Sequence, residues 1–275
     1  MGDFLFAARS CLGFLTTIPV GISMEGLAAL GKRLYLFPVI GAVIGLLIGG
    51  IGYLFGSLLP PEAASVMIVA SLYYLTGINH LDGLSDFGDG FVAHGSREKK
   101  IGAMRDVSLG IGGVVFCVIA VLGLFAAMSG ILERDTAGAG YQFLAVMIAS
   151  EVSAKQAMLT ISAFGKSIHP GLGSIMIDET GFREFAIGLI FSAAVCVLVF
   201  AGVGGGMHVG PGAGAGAGLP VLGVAMLGSA IALSLVVLGT ANRNFGGISG
   251  DVIGATNEIA RLGALLVAAA WVGAA

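Results

Sequence analysis

The sequence predicts an all-α fold, a polytopic transmembrane helix bundle that forms a single integral membrane domain over residues 1–275. Two bulk properties of the chain predict this fold class. The first is composition, because 57% of the residues are hydrophobic and only 11% are charged, and the second is a mean hydropathy of +1.01. A soluble domain carries roughly a quarter charged residues, so this chain has too few charges to cover a surface in water. The third observation is a series of apolar stretches of about 20 residues, the length that crosses a bilayer.

Seven apolar segments are predicted to span the membrane. They lie at about 34–57, 63–79, 109–130, 140–160, 184–204, 218–240 and 258–274. Residues 1–33 begin with apolar and polar positions that alternate with a helical period, which favours an amphipathic helix at the membrane interface. Gly41, Gly45 and Gly49 recur every four residues in the first span, a spacing that lets helices approach closely.

Basic residues are divided unequally between the two sets of connecting segments. With a cytoplasmic N-terminus, one basic residue, Arg134, falls outside and eleven fall inside: Arg9, Lys32, Arg33, Arg97, Lys99, Lys100, Arg105, Lys166, Arg183, Arg243 and Arg261. This bias predicts a multi-pass protein of the cell membrane with its N-terminus and polar segments in the cytoplasm. The Gly-rich outer segment 205–217 is predicted to be flexible. A net charge of −3 argues against a nucleic-acid partner.

Three aspartates follow the second predicted span, in the string NHLDGLSDFGDGF at 79–91. Asp82, Asp86 and Asp89 are spaced i, i+4, i+7 and share one face of a helix, where their charges repel. Carboxylate oxygens suit Mg²⁺, with Mn²⁺ as the alternative, and such ions complete their shells with water and substrate phosphates. Gly83 and Gly90 each follow an aspartate, where a bulky ligand could approach the backbone.

A basic patch lies just downstream, and together with the aspartates it makes 79–108 a predicted cytoplasmic active-site segment. The patch consists of Arg97, Lys99, Lys100 and Arg105. Asp106 adds a fourth carboxylate before the third span. Anchoring to anionic lipid would explain the basic residues alone, whereas phosphate recognition beside a metal explains both signs of charge. The combination indicates phosphoryl transfer from a nucleotide-activated donor.

One resemblance concerns this segment only. Asp86-x-x-Asp89-Gly90-x-x-Ala93, followed by Gly102-x-x-x-Asp106, resembles the signature of the CDP-alcohol phosphatidyltransferases, which are membrane enzymes that use a divalent metal. In that signature an arginine follows the alanine, and a last aspartate, implied as the catalytic base, comes four residues after the previous one. Here these positions hold His94 and Gly110, so a base must come from elsewhere.

A closer resemblance runs through most of the chain. The string from His80 to Gly90, followed by Arg97-Glu98-Lys99 and Met104-Arg105-Asp106, resembles the cobalamin synthase family, the adenosylcobinamide-GDP ribazoletransferases. FLTTIPV (14–20), FPVIGAVIG (37–45) and GGISGDVIGATNE (246–258) are similar to further family segments, in the same order. Where members show a Gly-Arg pair and a Pro-Tyr-Ala-Arg segment, this chain has SEVSAK and SAFGKSIHPGLG, in which Lys155 and Lys166 are the candidate positive charges.

This resemblance implies a transferase that joins adenosylcobinamide-GDP to α-ribazole or its 5′-phosphate, releasing GMP. The implied metal ligands, for one Mg²⁺ ion or two, are Asp82, Asp86, Asp89 and Asp106. The predicted catalytic residues are His80, Asp82 and Asp106, with His80 or Asp82 as the general base. The predicted substrate-binding residues are Gly83, Gly90, Arg97, Lys99, Lys100, Arg105, Lys166, Asp251 and Glu258.

Several interpretations stay open on the sequence alone, including the oligomeric state. Asp251 is either a carboxylate ligand, a nucleoside contact or a helix cap. Glu151 and Lys155 form either an ion pair within one helix or part of a site. Two rival functions remain: a CDP-alcohol phosphotransferase of phospholipid synthesis, which would release CMP, and a divalent-cation transporter, which would need carboxylates deep within several spans.

Overall fold

The computed structural model describes residues 2–135, 141–203 and 218–274. These residues form twelve helices and no extended strand. The helices are α1 (Gly2–Leu15), α2 (Met24–Gly31), α3 (Leu36–Leu58), α4 (Pro61–Thr76), α5 (Asn79–Val92), α6 (Arg97–Met104), α7 (Ile111–Arg134), α8 (Tyr141–Phe164), α9 (Leu172–Asp178), α10 (Phe182–Val203), α11 (Gly218–Asn244) and α12 (Gly250–Ala274). The predicted all-α class is confirmed, and the predicted flexible segment 205–217 lies outside the described residues.

Six of the described helices are long and apolar enough to cross a membrane, namely α3, α7, α8, α10, α11 and α12. The chain is therefore a multi-pass membrane protein. The second predicted span, 63–79, corresponds to α4, which has only 16 residues. The chain then bends by 94° into α5, and the count reaches seven only if this bent pair is taken as one span. Because of that bend α4 and α5 cannot both run along the membrane normal, and the aspartates of α5 lie beyond the six long spans.

Helix α8 occupies the centre of the bundle, where most of its length is buried. It packs closely against α3 because the three glycines of α3 carry no side chain at the contact. A Cβ atom at Gly41 would lie 2.7 Å from the carbonyl oxygen of Glu151, and one at Gly45 would lie 2.5 Å from Ile148 Cα. Close approach of helices at small residues is a general feature of membrane bundles, and the prediction from the glycine spacing is confirmed.

Helix α12 is the element that brings distant parts of the sequence to the aspartates. It packs against α5, α7, α8 and α11. It also begins earlier than the predicted last span 258–274, at Gly250, so that it includes most of the GGISGDVIGATNE segment. Arg261, which the sequence had suggested as a basic residue of an inside connection, is instead fully buried in this helix. That assignment is corrected, because the side chain is neutralised within the bundle.

Two helices, α1 and α2, form the predicted N-terminal segment. Ala7, Cys11 and Leu15 of α1 are buried, whereas Phe4 and Leu5 are exposed. Exposed apolar side chains on a helix that also packs against the bundle suit a position at a membrane surface. The interfacial position of α1 remains a prediction.

Candidate active site

Helix α5 presents its three aspartates on one face and packs with the other. Leu84 and Phe87 belong to the buried core, and the Phe87 ring meets the Phe245 ring edge-on at 5.9 Å between centroids. At about 100° per residue, Leu84 lies about 160° around the helix from both Asp82 and Asp86, and Phe87 lies about 140° from Asp82. Asp82 is accordingly exposed and Asp86 is half-buried. Burial of the apolar face therefore fixes the rotation of α5, and the aspartates take the face that remains.

A fourth carboxylate joins the three, from the first turn of α12. Burial, followed by the charges of Asp251, Asp82 and Asp89, raises the pKa of Asp86 to about 6. The four side chains, which we call the carboxylate cluster, are Asp82, Asp86, Asp89 and Asp251. Each of the charges that raise the pKa of Asp86 is negative, so the other carboxylates of the cluster repel this side chain. Asp251 thus belongs to the carboxylate cluster, as its predicted role of carboxylate ligand requires.

The cap of α12 is supplied by another residue. Ser249 Oγ accepts the backbone N–H of Val252 at 3.4 Å, and its hydroxyl donates to Asp251 Oδ2 at 3.2 Å. Because Ser249 fills the capping position, Asp251 is not needed as the helix cap. Of the predicted roles for Asp251, that of ligand or nucleoside contact remains.

Asp89 is held by the N-terminus of α7. Its Oδ2 accepts the backbone N–H of Gly110 at 2.9 Å, and its Oδ1 accepts that of Gly113 at 2.8 Å. A carboxylate is stabilised there by otherwise unpaired N–H groups and by the helix dipole. A Cβ atom at position 110 would lie 2.2 Å from Asp89 Oδ1. In this conformation, then, the site has no room for the aspartate that CDP-alcohol phosphatidyltransferases carry at position 110.

The two glycines of α5 predicted to admit a ligand are buried against protein. A Cβ atom at Gly83 would lie 2.8 Å from the backbone oxygen of Asp251, and one at Gly90 would lie 2.2 Å from Met104 Cγ. The neighbours that approach these backbones are therefore α12 and α6. Gly83 in particular allows Asp251 to come close to the aspartates of α5.

The basic patch reaches the same end of the bundle through α6. Lys100 Nζ donates to Asn244 Oδ1 at 2.7 Å, at the C-terminus of α11. A Cβ atom at Gly246 would lie 3.3 Å from Arg97 Nη1. Lys99 and Arg105 are exposed. Helix α6 thus places Lys100 and Arg97 beside the turn that leads from α11 to Asp251.

Lys166 lies on a segment that is joined to the same turn. The backbone N–H of Ile248 donates to the Lys166 carbonyl oxygen at 2.8 Å, and the Ile168 N–H donates to the Ile248 oxygen at 3.1 Å. This pairing fixes the polar segment after α8 against the residues that precede Asp251. The Lys166 side chain itself is exposed.

Asp106 lies apart from the carboxylate cluster. Its side chain is exposed on the connection between α6 and α7, and its Oδ1 accepts the Ser108 backbone N–H at 2.9 Å. These hydrogen bonds from Ser108 lower the pKa of Asp106, whereas the three carboxylates that raise the pKa of Asp86 do not include it. The structure therefore places Asp251 beside the three aspartates of α5, and it does not place Asp106 there.

His80 occupies the face of α5 opposite the aspartates. It is about 160° around the helix from Asp82, and only 8% of its surface is exposed. Its Nδ1 has no hydrogen-bond partner among the described residues. Burial, followed by the charges of Lys155 and Arg261, lowers the pKa of His80 well below 6.5. The imidazole is therefore neutral at pH 7, and it faces the interior of the bundle.

Glu258 also lies in the interior, within a set of charged side chains that we call the buried ionic network. Its members are Glu151, Lys155, Glu258 and Arg261, all almost fully buried. The Arg261 guanidinium donates to both glutamates, and Lys155 Nζ donates to Glu151 Oε2 at 3.2 Å. The expected ion pair within α8 is therefore present. It extends to Asn257, which accepts from Lys155 Nζ at 2.7 Å, and to Tyr73, which donates to Glu258 at 3.0 Å.

Sequence reasoning missed Arg261 and Asn257 as partners in this network. The available signal was the spacing of Glu258 and Arg261, which at i, i+3 share a helix face inside an apolar segment. Ionisable residues at that depth require partners. The spacing alone could not show that those partners would come from α8.

The donor chemistry of the carboxylate cluster fits a hard divalent cation. In the described part of the chain, no group of three or more His, Cys, Asp and Glu side chains is arranged so that it could hold a metal ion. Yet the cluster offers carboxylate oxygens, which Mg²⁺ and Mn²⁺ prefer. Burial, together with repulsion from the other three carboxylates, raises the pKa of Asp86 to about 6, and a bound cation would relieve that repulsion. Metal binding at this cluster remains a prediction.

Comparisons with known proteins agree with the family resemblance of the motifs. The profile of the family described as "Cobalamin-5-phosphate synthase" matches residues 7–269. The chain is 46% identical over 270 residues to a protein of Methanococcoides burtonii, covering 97% of this chain and 93% of that one. It is 42% identical to a protein of Methanosarcina barkeri, covering 98% and 93%.

A more distant relative extends the same result. A protein of Thermococcus onnurineus is 34% identical over 261 residues, covering 95% of this chain and 96% of that one. All three relatives are named adenosylcobinamide-GDP ribazoletransferase. No solved structure matches the chain. With nearly the whole chain matched, this protein belongs to the cobalamin-5-phosphate synthase family.

Proposed function

We propose that this chain is a transferase that joins adenosylcobinamide-GDP to α-ribazole, or to α-ribazole 5′-phosphate, and releases GMP. Family membership supports this activity, which is the activity that the names of the relatives describe. The observation that carries the proposal for this chain is the position of the carboxylate cluster. It lies at the end of the bundle where Arg97 and Lys100 meet the turn before α12. A diphosphate substrate needs both kinds of charge.

The reaction exchanges one phosphorus–oxygen bond for another. The ribose hydroxyl oxygen of the acceptor bonds to the β-phosphorus of the activated corrinoid. The bond from that phosphorus to the bridging oxygen breaks, and GMP leaves with this oxygen. The hydroxyl proton passes to a general base. Arg97 and Lys100 are placed to bind the diphosphate, with Lys99, Arg105 and Lys166 as exposed basic residues around them.

A divalent ion would be held by Asp82, Asp86 and Asp89, with Asp251 or Asp106 as a further ligand. Bound Mg²⁺, or Mn²⁺ in its place, would supply stabilisation of the negative charge that develops on the departing phosphate. Asp251 is the favoured fourth residue because its charge already acts on Asp86. Asp106 would have to leave its hydrogen bond with Ser108 in order to join.

Of the two candidate bases, the geometry favours Asp82. Its side chain is exposed on the face that carries the other aspartates, whereas His80 is buried on the opposite face. An Asp82→Asn variant should lower kcat by about 100-fold or more, as loss of a general base does. A His80→Ala variant should keep most of its turnover per folded molecule. The reverse result would assign the base to His80.

We also place the active site at the cytoplasmic face of the cell membrane. With Arg261 buried, ten basic residues remain on the inside connections, against Arg134 outside. Arg134 also lies near Gly273 at the far end of α12, away from Asp251. In intact cells, a membrane-impermeant thiol reagent should label an Arg134→Cys variant and spare a Lys99→Cys variant. Labelling of the second alone would invert the orientation.

The direct test follows the nucleotide product. Purified protein in lipid or detergent, given adenosylcobinamide-GDP, α-ribazole and Mg²⁺, should release GMP together with a corrinoid product that contains the acceptor. Release of CMP from a CDP-activated lipid, without GMP release, would support the phospholipid alternative. Mg²⁺ flux into proteoliposomes without nucleotide would support the transporter. Neither alternative is favoured by the family match.

A further inference from the structure

An apolar cavity of about 330 Å³ opens between α5 and α7, and Asp82 is one of the residues that line it. Val114 and Cys117 of α7 line one side, and Ile78 lines the other. Ser85 is the second residue of α5 that contributes a polar side chain to the wall. The cavity has the size of a small-molecule site, for which roughly 300–1,000 Å³ is usual. It lies beside the carboxylate cluster and is not used by the charge interactions described above.

The walls suit an aromatic group with few hydrogen-bonding edges. Most of the lining is aliphatic, so a polar heterocycle such as guanine would leave its donors and acceptors unpaired there, and burial of unpaired polar groups is unfavourable. The corrin ring with its amide side chains is far too large for this volume. The benzimidazole-type base of the acceptor is planar, apolar and compact. Among the reacting molecules it is the part that these walls match.

We propose that this cavity binds the aromatic base of the acceptor nucleoside. The inference rests on the proposed function and extends it to a subsite. With the base between α5 and α7, the attached ribose lies at the rim, beside Asp82. That position presents the sugar hydroxyl to the group assigned as its proton acceptor. The acceptor base therefore binds in the cavity, whereas the diphosphate of the donor binds at Arg97 and Lys100.

A pair of neighbouring valines provides a matched test. Val114 lines the cavity, whereas Val115 on the same helix faces outward with 45% of its surface exposed and does not line it. Val114→Phe should fill part of the space and raise KM for α-ribazole by about 10-fold or more, with KM for adenosylcobinamide-GDP little changed. Val115→Phe should leave both constants near those of the parent. Equal acceptor KM values in the two variants would overturn the subsite.

Cys117 allows a binding measurement on the unaltered protein. Cys11 and Cys196 are buried, whereas Cys117 is partly accessible in the cavity wall. A small thiol reagent such as methyl methanethiosulfonate should modify Cys117, and saturating α-ribazole should slow that modification at least 5-fold. Adenosylcobinamide-GDP alone should protect much less.

The outcomes separate this inference from the proposed function. If GMP is released but α-ribazole gives no protection, the subsite is refuted and the enzymatic activity stands. If added bilayer lipid protects Cys117 and α-ribazole has no effect, a lipid acyl chain occupies the cavity and the subsite is again refuted. If α-ribazole protects Cys117 and no GMP is released, the acceptor site is supported and the reaction is the part that fails.

Discussion

The buried ionic network and the carboxylate cluster lie on opposite sides of α5. They differ in whether opposite charges within the protein compensate their carboxylates. In the buried ionic network two carboxylates face two cations, so its formal charge sums to zero inside the bundle. In the carboxylate cluster Asp82, Asp89 and Asp251 act on Asp86, whose pKa rises to about 6 as a result of burial and these three charges. The first set is complete within the protein. For the second set we expect a divalent cation from outside the protein to supply the positive charge.

The compensated charges stabilise the fold, whereas the uncompensated charges belong to the candidate active site. A compensated, fully buried set of charges joins α8 and α12, and through Tyr73 it also joins α4. Helix α5 packs against α12, one of the helices that this network joins. The carboxylates of the uncompensated set, at the end of the bundle, repel one another, and a divalent cation that also binds the diphosphate would relieve that repulsion.

The largest effect is expected where a compensated charge loses its partner. Arg261→Met should lower the free energy of unfolding by about 3–5 kcal/mol, because Glu151 and Glu258 then stay buried with one cation between them. Unfolding in detergent, followed by circular dichroism against denaturant, measures it. Arg243→Met is the matched control, since Arg243 is exposed, and it should change stability by less than about 0.5 kcal/mol. Similar losses in both variants would contradict the structural role of the network.

The next effect concerns the support of Asp89. Gly110→Ala puts a methyl group 2.2 Å from Asp89 Oδ1 and forces the carboxylate off the α7 N-terminus. We expect a loss of about 1–2 kcal/mol, as for other lost helix caps. The control is Gly102→Ala, because a Cβ atom there meets nothing within 4 Å. The melting temperature of the Gly102 variant should stay level or rise, and a fall equal to that of Gly110→Ala would contradict the capping role.

The third prediction asks which residue completes the metal site. Asp251→Asn should raise the Mg²⁺ concentration for half-maximal GMP release by about 10-fold, which corresponds to about 1.4 kcal/mol. Asp106→Asn should raise it less than Asp251→Asn does. The Mg²⁺ dependence of turnover in the two variants, with binding followed by isothermal titration calorimetry, decides the question. A larger effect in Asp106→Asn would return that residue to the ligand set.

The smallest effect is the pH dependence of the carboxylate cluster. The folded-state pKa of Asp86, about 6, is raised above its ordinary value of 3.8. The protonated side chain therefore stabilises the fold below pH 3.8, and this contribution is lost as the pH rises through 6. Because Asp86 is only half-buried, we expect under about 1 kcal/mol. In EDTA, the melting temperature of the parent should fall from pH 5 to pH 7 relative to that of Asp86→Asn.

Added Mg²⁺ should oppose that trend. The ion competes with protons for the carboxylates, so the rise in melting temperature on adding Mg²⁺ should be larger at pH 7 than at pH 5. In Asp86→Asn the rise should be small at both pH values. A Mg²⁺ effect that is equal at the two pH values in the parent protein would contradict binding at this cluster.

The sequence correctly predicted that the three aspartates share one face of a helix, because their spacing lies within one short segment of the chain. The i, i+4, i+7 pattern and the apolar residues between them determine which way α5 turns. It also found the close packing of α3, since Gly41, Gly45 and Gly49 repeat at a helical spacing. It placed Arg261 wrongly, in a connection, because a positive charge was assumed to lie in water. The two carboxylate partners of Arg261 come from different helices. Glu258 is three residues away in the sequence, whereas Glu151 lies on α8.

The sequence by itself determined the membrane bundle, the family and the helix face that carries the aspartates, because composition, motif order and helical periodicity are properties of the chain. Only the tertiary structure decided that Asp251 stands beside Asp86 while Asp106 does not, that His80 faces the interior, and that the Asp89 carboxylate fills the space beside Gly110. The physical reason is distance. These facts depend on how α5, α7 and α12 pack together, and segments far apart in the sequence meet only when the apolar faces of the helices are buried.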